Sequence, residues 1–423
     1  WNYKLRSEAK GDNLFLSSIV AVRPETGEYV WHYQTTPGDA WDYTATQHII
    51  VTTLMIDEKP RRVVMQAPKN GFFYVLDAAT GQFISAEKYA DVSWAKHIDP
   101  NTGRPVIDKE AADYWSDSTP KTVFPGSQGA HNWPPMSFNP ITGLVYIPQQ
   151  ATMEHFVPLE KAVAPKAGVP NLGIVVPVVP ETLADINDLA KVYRGNLVAW
   201  DPVKQEARWQ QPYDHIHNGG TLTTAGNLVF QGSADGRLIA YSADKGEKIW
   251  QQSVSSASVA GPITYSVEDE QYVAFNVGWG GAFPITFGAL AYRTRVVPDS
   301  RLMVFKLGGK KPMPEVKRRE LTLPSPPPLN SSAEDLADGK ELYGSHCGVC
   351  HGLSALSANI IPDLRYLSEE KHNEFLAIVF GARSQQGMPP FGGILVPAQV
   401  EKIQQYIIQR SHHWREELIK AQQ

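Results

Sequence analysis

"AWDPVKQEARW" (Ala199–Trp209) and "AYSADKGEKIW" (Ala240–Trp250) are two copies of one pattern. Each opens on a small apolar residue, passes through a polar turn and closes on Trp. The same register holds in "AVRPETGEYVW" (Ala21–Trp31) and "VLDAATGQFIS" (Val75–Ser85), so the unit reads as strand, turn, strand. One such hairpin cannot bury its own apolar face. Repeats of this kind stack radially into a propeller, where the Trp can pack between blades. Unrelated hairpins in a sandwich are the competing reading. The 41 positions from Ala199 to Ala240 lie within the ~40–45 residues of a four-stranded blade and favour the propeller.

A different texture begins near residue 310. The run "KKPMPEVKRRELTLPSPPPLNSS" replaces apolar alternation with basic residues and then prolines, as a semi-rigid linker does. The expected division is a propeller over 1–309, a linker over 310–332 and a small helical domain over 333–423. The Val-, Pro- and Ala-rich stretch from Pro158 to Val192 reads as an excursion between blades. A net charge of −5 with 20% charged residues gives no electrostatic footprint for nucleic acid, and Lys310–Arg319 reads as a solvated basic run. No stretch has the length and apolarity of a membrane span. The sequence opens at Trp1 inside a strand-forming stretch, so further sequence upstream is expected.

Both cysteines of the 423-residue chain lie in "GSHCGVCHG" (Gly344–Gly352). A chain this long can build its core without disulfides, so the pair points to local chemistry. Cys347 and Cys350, followed at once by His351, form the c-type haem attachment pattern: the thiols bond the porphyrin and the imidazole ligates iron. A thioredoxin-like pair or half a zinc site are the alternatives. The βαβ context of the first and the second ligand pair of the other are not visible. Ser331 and Glu334 read as a capping box opening a helix that runs into the motif. Helical spacing recurs at Phe375, Ile378, Val379 and Ala382, and at Val400, Ile403 and Ile407. Between these lies "QGMPPFGG", a rigid loop that makes Met388 the candidate sixth ligand of the iron.

"GDNLFLSSIVAVRPETGEYVWHYQTTPGDAWDYTATQ", "APKNGFFYVLD", "GAHNWPPMSFNP", "NGGTLTTAGNLVFQGSADGRLIAY" and "VGWGGAF", followed by the haem motif, resemble the quinohaemoprotein alcohol dehydrogenases across almost the whole chain. The resemblance implies an eight-bladed all-β propeller, incomplete here, joined to an all-α cytochrome c domain. It implies pyrroloquinoline quinone (PQQ) and calcium near the propeller axis, and oxidation of an alcohol in the bacterial periplasm. Electrons would pass to haem c and then to an external acceptor: a small cytochrome, a copper protein or a membrane quinone system. In the family, an N-terminal stretch of propeller supplies a calcium-binding glutamate and asparagine, the tryptophan under the quinone and a vicinal disulfide. None of these is assignable here.

In "PGDAWDYT" two carboxylates flank an aromatic in a turn, and a carboxylate beside an electron-accepting ring suits removal of an alcohol proton. Simple turn formation is the plain alternative. The resemblance implies Asp42 as base and calcium ligand and leaves Asp39 as a turn former. It also places Lys69 over the quinone carbonyls and sets Asn132 and Trp133 at the quinone edge. On residue type alone, Lys69 could be solvated, Asn70-Gly71 a hairpin turn, and Asn132 and Trp133 ordinary loop and packing residues.

Three positions depart from the family pattern, so its substrate preference does not transfer. His217 stands where the family commonly has Trp lining the cofactor edge or entrance, Ala282 where a usual Val would make a narrower pocket beside the quinone it is expected to bind, and Thr44 where lanthanide-using relatives carry a second aspartate. Thr44 therefore favours calcium. Two further functional classes stay open: a quinoprotein for a sugar or heterocyclic amine, and a propeller that transfers electrons without catalysis.

Overall fold

All four sequence repeats fold as hairpins, and each breaks its ladder at the same place. Strands Ser18–Val22 and Tyr29–Gln34 shift register at Ala21/Val22, and Phe72–Asp77 and Phe83–Lys88 at Val75/Leu76. Gly195–Asp201 and Glu206–Tyr213 shift at Ala199/Trp200, and Arg237–Ser242 and Lys248–Ser253 at Ala240/Tyr241. A bulge adds one unpaired residue and extra twist, so the same kink precedes every turn. The turns then close by one rule: Gly27, Gly81, Gln205 and Gly246 donate to the carbonyls of Arg23, Asp77, Asp201 and Ser242 at 2.8–2.9 Å. Three of these donors are glycines at φ near +72°; the fourth, Gln205, takes φ +56° and ties its amide to Pro202 O and Ser85 Oγ.

The tryptophans lock one repeat to the next. A Cβ on Gly81 would lie 2.5 Å from the Trp31 ring, and Trp31 Nε1 donates to Ala78 O at 3.2 Å. Trp209 stands on Gly246 and donates to Ala243 O at 3.0 Å in the same manner. This is the packing between blades that the Trp positions predict. It also explains the turn glycine: only a residue without a side chain lets the indole approach.

The computed structural model describes residues 10–159, 172–175, 180–358 and 360–421. They fall into two compact units, one of Trp1–Val178, Ala190–Gly278 and Ser300–Pro314, the other of Val179–Leu189, Trp279–Asp299 and Glu315–Gln423. In the first, the described strands build three four-stranded antiparallel sheets (Ile49 to Lys88, Ser137 to Tyr213 and Thr221 to Ser253), a three-stranded one (Ile263 to Lys306) and three two-stranded pairs: Ser18–Val22 with Tyr29–Gln34, Ala95–Ile98 with Pro105–Ile107, and Lys121–Val123 with Glu154–Phe156. Inner strands such as Leu144–Gln150 are buried throughout. Outer strands such as Glu206–Tyr213 alternate exposed and covered residues with period two. These are the blades of an all-β propeller.

The second unit is helical. The helix Ala333–His346 is capped by Ser332, whose side chain accepts from Asp335 N, one residue later than the capping box read from sequence. Gly348–His351 follows as a single turn. The amphipathic stretch after it is broken into Glu369–Asn373, Phe375–Ala377 and Ile378–Ala382, while the C-terminal pattern forms one long helix, Pro397–Lys420. Tyr343, Phe375, Val379, Val400, Ile403 and Ile407 make its core.

Several expectations change. The excursion over Pro158–Val192 lies partly outside the described residues, and its described part holds a helix, Leu183–Val192, whose Ile186 packs with Trp414 and Leu323. The segment read as a semi-rigid spacer instead lies along the C-terminal helix: Asn330 N donates to Gln405, and Arg415 to Ser325 Oγ. Residues 310–318 are exposed as expected, but Arg319, at the end of the basic run, is buried and ion-paired with Asp363. Apolar neighbours Leu321 and Leu323 draw the chain inward there. Residues 279–299, placed with the propeller by sequence, belong to the second unit.

Candidate functional site

In the first unit the turn "PGDAWDYT" is fixed from both sides. Asp39 closes it, accepting from Trp41 N at 2.9 Å and from Ser17 Oγ at 3.3 Å. The Trp41 ring lies 5.2 Å from Trp94 and 5.3 Å from Trp115, and its Nε1 donates to Ala112 O. Tyr43 donates to Pro125 O at 2.5 Å. Asp42, between these anchored rings, is held at φ +65°, a left-handed conformation that Asp tolerates better than most residues but that still stores strain.

Lys69 reaches this turn from the loop joining strands Lys59–Gln66 and Phe72–Asp77. The neighbouring Asn70 sets that loop: its amide donates to Thr35 O, Thr36 Oγ1 and Tyr74 OH, and its carbonyl accepts from Phe72 N. Gly71 completes the turn at φ +88°. Lys69 Nζ then donates to Asp42 O at 3.0 Å and Asp42 Oδ2 at 3.3 Å. The side chains keep 10% and 27% of their exposure, so the pair is largely desolvated yet the carboxylate is reachable. Gly129 covers the lysine stem; a Cβ there would lie 2.4 Å from Lys69 Cγ.

Two residues beside this pair were not singled out by sequence. Glu154 is raised above its ordinary pKa, first by burial, against hydrogen bonds from Ser127, with the Asp42 charge pushing the same way and Lys69 opposing. No motif marks it, although in Glu154–Phe156 the intervening His155 is exposed while Phe156 is buried, the alternation that turns Glu154 inward. His131 directly precedes Asn132. Its Nδ1 lies 2.7 Å from Ala67 O and its Nε2 2.7 Å from Pro134 O, bridging the Lys69 loop to the Asn132–Trp133 loop. Asn132 donates to Gln128 O at 3.0 Å, and Trp133 is 41% exposed.

Thr44 is tied to the same turn: its N–H donates to Asp42 O at 3.0 Å, and its hydroxyl meets Thr46 Oγ1 at 3.3 Å. His217 is buried at φ +60°, its N–H donating to Gln150 Oε1. Burial pushes its imidazole down to about 3, so it is neutral. Ala282 caps the short helix Phe283–Thr286 in the second unit. Among the described residues no three His, Cys, Asp or Glu gather as a metal cage.

The haem motif lies in the second unit. Cys347 and Cys350 are free thiols; burial, and then Cys350, push the Cys347 thiol up to about 12. His351 Nδ1 lies 2.8 Å from Pro362 O, which leaves Nε2 for a metal. Met388 packs into the same apolar cluster as Cys347, together with Phe380 and Phe391. Its loop is shaped by Gly381 at φ +129° and Gly387 at φ +91°. Cys347 and Met388 at one apolar cluster, with the exposed Cys350 thiol and the oriented His351 imidazole on the turn that follows Cys347, form a donor set that fits haem c.

Comparison with known proteins agrees with both halves. Residues 4–96 and 184–273 match the glucose/ethanol/alcohol dehydrogenase beta-propeller domain, and 334–407 match cytochrome c oxidase, cbb3-type, subunit III. The chain is 53% identical over 420 residues to quinohaemoprotein alcohol dehydrogenase ADH-IIG of Pseudomonas putida, covering 99% of this chain and 58% of the relative. It is 47% identical to ADH IIB of the same species, covering 97% and 59%. The solved ADH-IIG structure superposes with a TM-score of 0.93 at 52% identity, over 98% of this chain and 61% of that one. The enzyme of Comamonas testosteroni superposes at 0.81 and 39%, over 98% and 60%. The chain thus spans a little under two thirds of the length of the relatives it matches, and it belongs to the quinohaemoprotein alcohol dehydrogenase family.

Proposed function

We propose that the protein oxidises an alcohol to the aldehyde in the periplasm, using PQQ and calcium in the propeller and passing electrons through haem c to an external acceptor. The observation that carries this is the Lys69–Asp42 pair, a partly exposed carboxylate at strained backbone with a buried ammonium 3.3 Å away. Alcohol oxidation removes two electrons and two protons. Asp42 accepts the hydroxyl proton, and its left-handed turn presents the carboxylate ready for it. When bound, PQQ supplies the acceptor for the hydride leaving the carbon. Lys69 supplies fixed positive charge for oxygen atoms that gain negative charge in that step. Asn132 and Trp133 line the cofactor edge, and Glu154 supplies a buried group that can hold a proton beside the pair.

The residues fit these groups to different degrees. Asp42 offers a carboxylate oxygen to calcium, which takes about six to eight oxygens, so most ligands come from elsewhere than the described acidic side chains. In the haem domain, Cys347 and Cys350 would make the covalent bonds, and His351 and Met388 would hold the iron.

The test is reconstitution of the full-length protein with PQQ and calcium, followed by the haem absorption bands on adding alcohol. Reduction that needs both quinone and alcohol is expected. Reduction by a sugar or heterocyclic amine but by no alcohol would move the substrate class, and haem that never responds to quinone would reduce the propeller to a passive platform.

A further inference from the structure

Arg319 is buried in a segment with no regular structure, and its backbone is fastened on both sides. Its N–H donates to Arg295 O at 2.7 Å, and Arg295 Nη2 donates to Arg319 O at 3.3 Å. Its guanidinium gives Nη1 to Ser357 O and Nη2 to Asp363 Oδ2, each at 2.7 Å. Asp363 already has a partner. Arg365, fully buried, donates Nε to Oδ1 at 2.9 Å and Nη2 to Oδ2 at 2.7 Å. Aromatic rings seal the group: Arg319 lies 4.6 Å from the centre of Tyr292 and 4.8 Å from Tyr366, and Arg365 4.2 Å from Trp414.

Two guanidiniums share one carboxylate, so the cluster carries a net positive charge away from water. Stability alone does not call for this, since one arginine satisfies one aspartate bidentately and a second buried cation adds a desolvation cost. The location suggests what the surplus charge does. Asp363 directly follows Pro362, whose carbonyl faces His351 Nδ1 at 2.8 Å. The cluster therefore begins at the residue next to the carbonyl that orients His351, the histidine that would hold the iron. Reduction of a haem iron adds one negative charge, and a nearby buried cation favours that state.

We infer that Arg319 sets the reduction potential of the haem: with Asp363 and Arg365 it holds a sealed net positive charge behind His351, which raises the potential and makes the iron a ready electron acceptor. This rests on the haem c reading above. Arg319 bonds Ser357 and Asp363 rather than His351, and acts through charge and through the Pro362–Asp363 backbone.

The experiment is redox titration of the full-length, haem-loaded protein and its variants. Arg319→Gln removes the charge, and the reduced-to-oxidised ratio at a fixed potential should fall about tenfold, ~59 mV downward for one electron. Arg319→Lys keeps the charge and should stay near the starting potential. If the Gln variant does not accumulate, Arg319→Met, which keeps an apolar stem between the tyrosines, carries the same expectation. An unchanged potential in the neutral variants overturns the inference. So does an equal drop in Lys and Gln, which would assign the effect to geometry. Absence of covalent haem in the unmutated protein, seen by spectrum and mass, overturns the haem reading instead.

Discussion

Lys69 Nζ holds both the backbone carbonyl and the side-chain carboxylate of Asp42, at 3.0 Å and 3.3 Å. The lysine thus clamps the strained turn as well as pairing with its charge. Asp42→Asn removes the proton acceptor while keeping the carbonyl contact. Alcohol-driven haem reduction should fall by about 10⁴-fold with quinone still bound. Lys69→Ala should slow the same step by about 10²-fold, because the base remains. Stopped-flow haem reduction with quinone content measured in parallel separates the two; near-normal turnover in Asp42→Asn would remove that residue from the chemistry.

Glu154 should make stability depend on pH in a definite sense. Its pKa in the folded protein is raised, chiefly by burial, so the folded state binds its proton more tightly than the unfolded chain. That contribution is fully present below the ordinary glutamate value and is lost as pH rises through the raised folded value. Glu154→Gln removes the titration. Its melting temperature relative to the parent should therefore improve as pH climbs across that window, measured with the protein free of added metal. A difference that stays flat with pH would show that Glu154 does not titrate there.

The propeller's locking contact can be tested without any cofactor. Gly81→Ala places a Cβ against the Trp31 ring at a position held at φ +71°. Both the clash and the left-handed backbone oppose the change, so a loss of about 1–3 kcal/mol is expected in denaturant melts. Gly27→Ala has the same backbone conformation but open space around it, and should cost less.

How far these contacts were legible follows from their physics. The hairpins, the Trp packing and the C-x-x-C-H motif are local patterns, visible because spacing within ten residues sets the geometry. Asp42 and Lys69 are 27 residues apart in sequence, and only the family resemblance joined them. Glu154 and His131 carry no motif; their importance comes from burial and from carbonyls supplied by other loops. Arg319 misled for the opposite reason. A basic run is usually solvated, and nothing local tells that its last residue meets Asp363, 44 positions on.

Met388→Ala should leave the haem covalently attached while altering its iron. Met388 shares an apolar cluster with Cys347, and as the proposed thioether ligand it would raise the potential of the haem. Loss of the ligand should lower the midpoint potential and change the ferric spectrum towards a five-coordinate or water-ligated form. An unaltered spectrum would put the sixth ligand elsewhere.

The metal in the propeller turns on Thr44. Its N–H bonds the same Asp42 carbonyl that Lys69 holds, so its backbone is part of the turn that carries the candidate metal ligand. A neutral hydroxyl there adds no charge, and a site with few carboxylates suits a divalent ion better than a trivalent one. Magnesium's small, strict octahedron is a poorer match than calcium for mixed carboxylate and carbonyl oxygens. Metal-free full-length protein should regain activity with calcium and not with a light lanthanide. Thr44→Asp adds a carboxylate two residues from Asp42 and should shift the preference towards the lanthanide, read as the ratio of metal affinities in parallel titrations. Restoration of the parent by the lanthanide alone would overturn the assignment, and an unchanged ratio in Thr44→Asp would mean that the side chain faces away from the ion.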